Sequence, residues 1–488
     1  MILSIDQSTS STKGLVWSSS GEMLGRADVK HKQITNSFGW VEHDPIEILK
    51  NTYIAAKNAL YAAKVTPSQI LAIGLSNQRE TAVCWHRKTG KPLYNAIVWQ
   101  CARAIDMVEE LRKNGLEEEV RKRTGLTLSP YFSAAKFGWL VKHVPEAAKA
   151  LQEDNLCCGT IDSWLLFNLT GEFKTDYSNA SRTQLFNLQK LEWDTDILQA
   201  FGLTQNCLPK VCMSDSYFGS TSFNSLFPQP IPIHGVLGDS HGALFGNQCF
   251  KKYSTKVTYG TGSSVMMNVG ATIPKPQNGI VASIAWGINN TVEYVLEGNI
   301  NYCGAIVSWL IEDMQILEDV NSAEKYALMV EDTGGVYLVP AFSGLGAPYF
   351  NENAKAAWLG MNRNTKKPHL IRAAQECIAY QVRDILEIMR DCIPSPISSI
   401  KADGGPTSNN FIMSFQSGIL NMPIEISRVE EMSGMGAAFC AAIGAGIATG
   451  SDLFDNKQWQ NIQPTMSLQK GEELYKGWKN AVLTINGG

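Results

Sequence analysis

Two stretches half a chain apart repeat one pattern, and that repeat limits the folds open to the sequence. Residues 1–17 run as an apolar strand into Asp6, then a turn crowded with hydroxyls (Ser8, Thr9, Ser10, Ser11, Thr12). Lys13 and a second apolar strand to Trp17 follow. Residues 254–270 repeat strand, small turn and strand, with Gly260, Thr261 and Gly262 at the turn. Such turns present backbone N–H groups and hydroxyls to an anion, and glycine lets the backbone approach it. Asp6 at a strand end repels an anion. A divalent cation bridging carboxylate and phosphate resolves the conflict. A polar β-turn accounts for either stretch alone. Recurrence at half-chain spacing points to a duplicated domain, with two phosphate-facing hairpins holding a nucleotide across a cleft.

At 488 residues the chain exceeds a single core. The expected division is an N-terminal domain at 1–246 and a C-terminal domain at 247–488. A net charge of -4 leaves no basic footprint, which argues against nucleic acid. No apolar run approaches a membrane span, and the opening lacks the basic region of a signal peptide. Eleven cysteines without a C-x-x-C pair read as reduced, buried thiols in a cytoplasmic protein.

Asp44-Pro45 predicts a helix start, with Ile46, Leu49, Tyr53, Ala56 and Leu60 on its buried face. A strand ending near Leu75 delivers Arg79 and Glu80, and strand ends in α/β sheets are where ligands bind. A weak surface salt bridge is the plain alternative for that pair. Thr81–Trp85 and Ala96–Trp99 read as a hairpin, and Tyr131 falls in the first turn of a helix. Residues 214–232 read as a linking loop. Asp239 follows a strand and a glycine bend, where a general base should project, although helix capping also suits it. His241 reads as a polar helix-start residue. Lys366-Lys-Pro368-His begins the strongest helix, with Leu370, Ala374, Cys377, Ile378, Val382 and Ile385 on one face. Gly404 and Gly405 precede another helix and allow close approach of a flat or anionic ligand. Residues 433–442 form a small-residue helix suited to close packing.

Taken together, residues 39–45, 77–81, 95–100, 179–183 and 339–344 resemble the FGGY family of carbohydrate kinases, closest to its glycerol kinase branch. The resemblance implies an α/β fold of two duplicated ribonuclease-H-like, actin-like ATPase domains with a cleft between them. It implies ATP and Mg²⁺ as cofactors and Asp239 as the catalytic base. Asp6 and Asp239 would be the metal ligands. Thr9, Ser10, Ser11, Lys13, Gly260, Thr261, Gly262, Gly304, Gly404, Gly405 and Asn409 would bind ATP. Arg79, Glu80, Trp99, Tyr131, Asp239, Ser240 and Ser264 would bind the acceptor. Ser240 stands where the branch has Gln, and Ser264 where it has an aromatic. Ser308 replaces a Gln near the nucleotide. The two pocket changes, Ser240 and Ser264, lead to the expectation of an acceptor larger than glycerol, such as a pentulose, tetritol, pentitol or gluconate. Glycerol kinase proper is the alternative, and a non-kinase actin-like ATPase or sugar sensor is the rival from another class. The glycine-rich, Arg-bearing loop used for fructose bisphosphate control is absent from 214–232. The expected partner is a small polyol or sugar, with neither nucleic acid nor membrane, and a second copy of the chain in a homodimer.

Overall fold

The computed structural model describes residues 1–273, 275, 276, 279–449 and 459–487. The first half builds a sheet from β1 (Ile2–Gln7), β2 (Ser11–Trp17), β3 (Met23–Lys30), β4 (Ala72–Asn77), β5 (Gly219–Thr221) and β6 (Ile231–Gly238), ordered β5-β6-β4-β1-β2-β3. The second half uses β7 (Ser254–Tyr259), β8 (Ser263–Gly270), β9 (Val281–Ile288), β10 (Thr291–Ile300), β11 (Ser399–Asp403), β12 (Ile424–Ser427) and β13 (Trp459–Ile462), ordered β9-β10-β8-β7-β11-β12-β13. Without β9 the spatial arrangements coincide, but the chain visits the last two positions in opposite order: the edge strand β5 precedes β6, whereas the edge strand β13 follows β12. Each sheet has an antiparallel meander of three strands, then two parallel strands, then an antiparallel edge. The repeated hairpins are therefore the first two strands of a duplicated ribonuclease-H-like unit.

Helix α1 (Pro45–Ala63) starts as its sequence dictates, with Asp44 accepting from the Ile46 N–H at 2.8 Å. Its buried face matches expectation at Ala56 and Leu60 and departs from it at the N-terminal end. Ile46 is 48% exposed, and the covered stripe runs through Ile48, Thr52, Ala55, Ala56 and Ala59. Close approach selects the alanines over the larger residues. A Cβ on Gly14 of β2 would lie 2.4 Å from the Ala55 carbonyl oxygen, so helix and sheet touch backbone to backbone.

Further along come α2 (Ser133–His143), α3 (Asp239–Gly246), α4 (Gly304–Glu312), α5 (Lys367–Asp391), α6 (Asn410–Leu420) and α7 (Met432–Gly444). α5 buries Ala374, Cys377, Ile378, Val382 and Ile385 as its period predicts, with Leu370 only half-buried. α7 is the small-residue helix, and it packs on the sheet of the first half. A Cβ on Gly74 of β4 or Gly235 of β6 would lie 2.3 Å from the Ala437 carbonyl oxygen, and one on Gly436 would lie 1.9 Å from that of Gly242 in α3. The second half is thus bedded into the first.

Three local expectations change. Residues 214–232 contain the edge strand β5 as well as loop. Val83–His86 takes its ladder partner from Leu156–Gly159, and its return through Ala96 is an irregular set of bridges. Tyr131 precedes α2 by two residues, leaving it free of the helix ladder. Among the described residues no helix is long and apolar enough to cross a membrane.

Candidate active site

The first hairpin turn is tighter than its composition suggests. Only Ser8–Ser10 lie outside the ladder; Ser11 and Lys13 belong to β2, with Lys13 opposite Asp6. Asp6 is buried, accepts from the Ser76 hydroxyl at 2.7 Å and lies 3.9 Å from the Lys13 ammonium. Burial pushes its pKa up to about 6, with Lys13 opposing and Asp239 adding to the rise. Lys13 also donates to Glu431 at 2.7 Å, the residue preceding α7. Thr9 accepts from the Trp99 indole N–H at 2.9 Å, which ties the turn to the neighbouring pocket.

Asp239 opens α3 immediately after β6, and its side chain remains one-third exposed. Gly238 is the helix cap, so Asp239 is free of that duty. Its Oδ1 accepts the adjacent Ser240 N–H, at 2.6 Å. Arg79 Nε lies 3.3 Å from it. Gly238 explains the approach: a Cβ there would sit 2.7 Å from Arg79 Cγ, so the arginine stem lies across the strand end. His241 is fully buried, with Nε2 3.4 Å from the Ser283 hydroxyl. Burial, reinforced by Arg79, pushes its pKa well down and leaves a neutral imidazole. It has no opening onto the cleft.

Arg79 and Glu80 are buried and do not pair with each other. Arg79 donates through both Nη atoms to Glu297 of β10, at 2.8 and 2.9 Å. Glu80 accepts from Arg182 Nε at 2.6 Å, and Arg182 Nη1 lies 3.1 Å from Glu297. Burial opposes ionisation of Glu297, yet Arg182 and Arg79 hold its carboxyl well below the usual range. Glu80 has a backbone φ of 62°, a conformation that side chains other than glycine's rarely adopt. The rings of Trp99 and Tyr131 stand 5.5 Å apart. The Tyr131 turn is fixed from below by Lys136, whose ammonium donates to the carbonyls of Pro130, Tyr131 and Phe132. Sequence reasoning passed over Glu297. The signal was a lone carboxylate inside the apolar run Val295-Leu296-Glu297.

The second hairpin forms one wall of a cavity of about 430 Å³, lined by Gly260, Thr261, Gly304, Ser308, Gly405 and Asn409 together with Val307, Ala323 and Ile412. Glycine backbone together with a mixed lining of apolar side chains (Val307, Ala323, Ile412) and polar ones (Ser308, Asn321, Glu324) suits a base-bearing phosphate ligand. Gly262 and Gly404 act from behind this wall. A Cβ on Gly404 would lie 2.0 Å from the Tyr259 carbonyl oxygen, and its φ of 97° with ψ of 166° belongs to glycine almost alone. Gly262 approaches the Ile300 carbonyl oxygen in the same way, and Gly405 faces open space. Asn409 caps α6 and donates to Gln375 at 2.8 Å, so its side chain holds the wall in shape.

Register places Lys256, Thr258, Ser264 and Glu297 on one face of the second sheet. Asp239 acts electrostatically both on Lys256 of that face and on Asp6 of the first sheet, so it stands between the halves. Asp6 and Asp239 offer hard oxygen donors, and their mutual repulsion is what a divalent cation relieves. Mg²⁺ fits this donor set.

Two strand-end carboxylates, a lysine-bearing turn and a nucleotide-sized cavity across a cleft define a phosphotransferase of the actin-like ATPase class. The chain belongs to the FGGY family of carbohydrate kinases: that family's N-terminal domain matches residues 1–246 and its C-terminal domain residues 255–445. It is therefore an ATP-dependent carbohydrate kinase. Glycerol kinase 1 of Thermotoga maritima is 45% identical over 487 residues, covering 99% of this chain and 98% of that protein. Glycerol kinase of Caldanaerobacter subterraneus is 43% identical, covering 99% and 97%. The crystal structure of Plasmodium falciparum glycerol kinase with ADP superposes with a TM-score of 0.94 at 34% identity, covering 99% of this chain and 98% of that one. A ligand-bound xylulose kinase from Lactobacillus acidophilus, at TM-score 0.87 and 21% identity, shares the fold.

These relatives correct the expectation of an acceptor larger than glycerol. The full-length relatives of high identity are glycerol kinases, whereas the xylulose kinase likeness stops at the fold. Physically, two small side chains do not fix the size of a site, because buried neighbours such as Arg79, Arg182 and Glu297, all 6% exposed or less, also shape it.

Proposed function

We propose that this chain is a glycerol kinase, transferring the γ-phosphoryl group of ATP to a terminal hydroxyl of glycerol. The observation that carries this reading is Asp239 standing between the two sheets with Arg79 Nε at 3.3 Å, in a chain whose full-length relatives are named glycerol kinases. In this reading the Asp239 carboxylate takes the proton from the acceptor hydroxyl. The freed oxygen attacks the γ-phosphorus, the bond to the bridging oxygen breaks, and ADP leaves. Arg79 donates to one hydroxyl and Glu80 accepts from its neighbour, a pairing suited to a vicinal diol. Trp99 and Tyr131 cover the apolar edge of the carbon chain. Thr9, Ser10, Ser11 and Lys13 attend the transferred phosphoryl group, and the cavity beside Thr261 and Gly405 takes the nucleoside. Asp6 and Asp239 would hold Mg²⁺, which would supply charge neutralisation to the phosphates. Closure of the two halves excludes water and so protects ATP from hydrolysis. We further propose that residues 1–246 supply the acceptor and metal side and residues 247–488 the nucleotide side.

The test is a coupled ADP-release assay over glycerol, tetritols, pentitols, ketopentoses and gluconate. Saturable turnover on glycerol, well above every other acceptor, is the expected result. Silence on glycerol with turnover elsewhere would refute the assignment.

A further inference from the structure

We propose that Glu297, a residue of the second half, is a positioning residue for the acceptor pocket of the first half, fixing Arg79 directly and Glu80 through Arg182. The inference rests on the reading above and adds to it a residue that touches no substrate. Three observations carry it. The Arg79 stem is pinned against Gly238, so only its guanidinium head has freedom, and both Nη atoms of that head are taken by Glu297. This leaves Nε as the edge turned to Asp239. On the other side Arg182 spans Glu297 and Glu80, engaging a single oxygen of Glu80. The four side chains thus form one alternating chain, Arg79–Glu297–Arg182–Glu80, whose two outer members are the acceptor-binding pair and whose two inner members are their support.

Stability alone gives little reason for such a chain. Buried ion pairs are often no better than apolar residues of the same volume, because each charge must be desolvated. The strained backbone at Glu80 is a further cost held in place by the surroundings. Both features are understandable if the carboxylate and guanidinium must stand at fixed angles before the acceptor arrives. Because Glu297 lies on β10, the pocket is complete only while the two halves are in contact at this point. Acceptor affinity is thereby coupled to cleft closure.

The experiment compares purified full-length wild type, Glu297→Gln and Glu297→Asp in the coupled assay, with ADP affinity by calorimetry. Glu297→Gln should raise the KM for glycerol at least tenfold while ADP affinity stays within twofold, and Glu297→Asp should recover part of the loss. If Glu297→Gln fails to fold, the charge-balanced double variant Glu297→Gln with Arg182→Gln takes its place, with the same expected result. A folded variant with wild-type KM would overturn the inference, as would parallel losses of ADP and glycerol binding. Wild type inactive on glycerol would overturn both the inference and the functional reading; an active wild type with an unaffected variant removes the inference alone.

Discussion

Replacing Asp239 by Asn separates chemistry from binding at this site. The amide is isosteric, and its Oδ1 still accepts the Ser240 N–H that Asp239 accepts at 2.6 Å. Arg79 keeps its two bonds to Glu297, so the pocket floor retains its shape. Asp239 is one-third exposed, and the substitution opens no cavity. What disappears is the proton acceptor. General-base catalysis contributes about 10²–10⁴ in rate, or about 3–5 kcal/mol of barrier. The loss of one hard oxygen from the Asp6–Asp239 pair adds to that figure. We expect kcat in the coupled assay to fall by at least ~10³, with ADP affinity by calorimetry and thermal unfolding close to wild type. A kcat within tenfold of wild type would exclude Asp239 as the base. An equal loss of kcat and ADP binding would mean that it serves the nucleotide instead.

Lys13→Ala removes the cation opposite Asp6 and should lower kcat/KM for ATP by about 10²-fold, with little change in the KM for glycerol. Gly404→Ala forces a Cβ to within 2.0 Å of the Tyr259 carbonyl oxygen in a backbone conformation reserved for glycine; the urea midpoint should drop by an amount worth about 2–4 kcal/mol, with weakened ADP binding. Glu376 is raised by burial to about 7 in the folded state. Since its unfolded pKa lies lower, its contribution is fully present below about pH 4.5 and is lost as pH rises through about 7. Urea titrations at pH 5 and pH 8 should show this loss, up to about 3 kcal/mol, in wild type and lack it in Glu376→Gln.

Much of the fold was legible because it rests on local signals that repeat. The two hairpins carried their own turn chemistry, α1 carried its cap, and α5 kept one apolar period over 25 residues. The face of α1 departs from expectation at Ile46 because amphipathic period favours large apolar residues, whereas here the backbone at Ala55 and Ala56 packs against Gly14. The same physics hid the partner of α7. A run of small residues announces close approach, but only the tertiary structure shows Gly74 and Gly235 waiting on the opposite half. Residues of the site at strand ends were visible as isolated polar groups after apolar runs. Glu297, Arg182 and Glu431 were not, because their role lies in pairs separated by more than 100 positions in the chain.

Ser240 and Ser264 illustrate the limit of reading a pocket from single positions. Each stands where the resemblance places a larger residue. Ser240 uses its N–H on Asp239 at the helix start, and the Ser264 hydroxyl is buried with no hydrogen-bond partner. The Arg79–Glu297–Arg182–Glu80 chain is buried throughout. Four buried charges neutralise one another pairwise, so withdrawing or displacing any one leaves a partner unpaired, and buried unpaired charges are among the costliest defects a protein can hold. A pocket bounded by such a chain resists enlargement far more than one bounded by apolar walls.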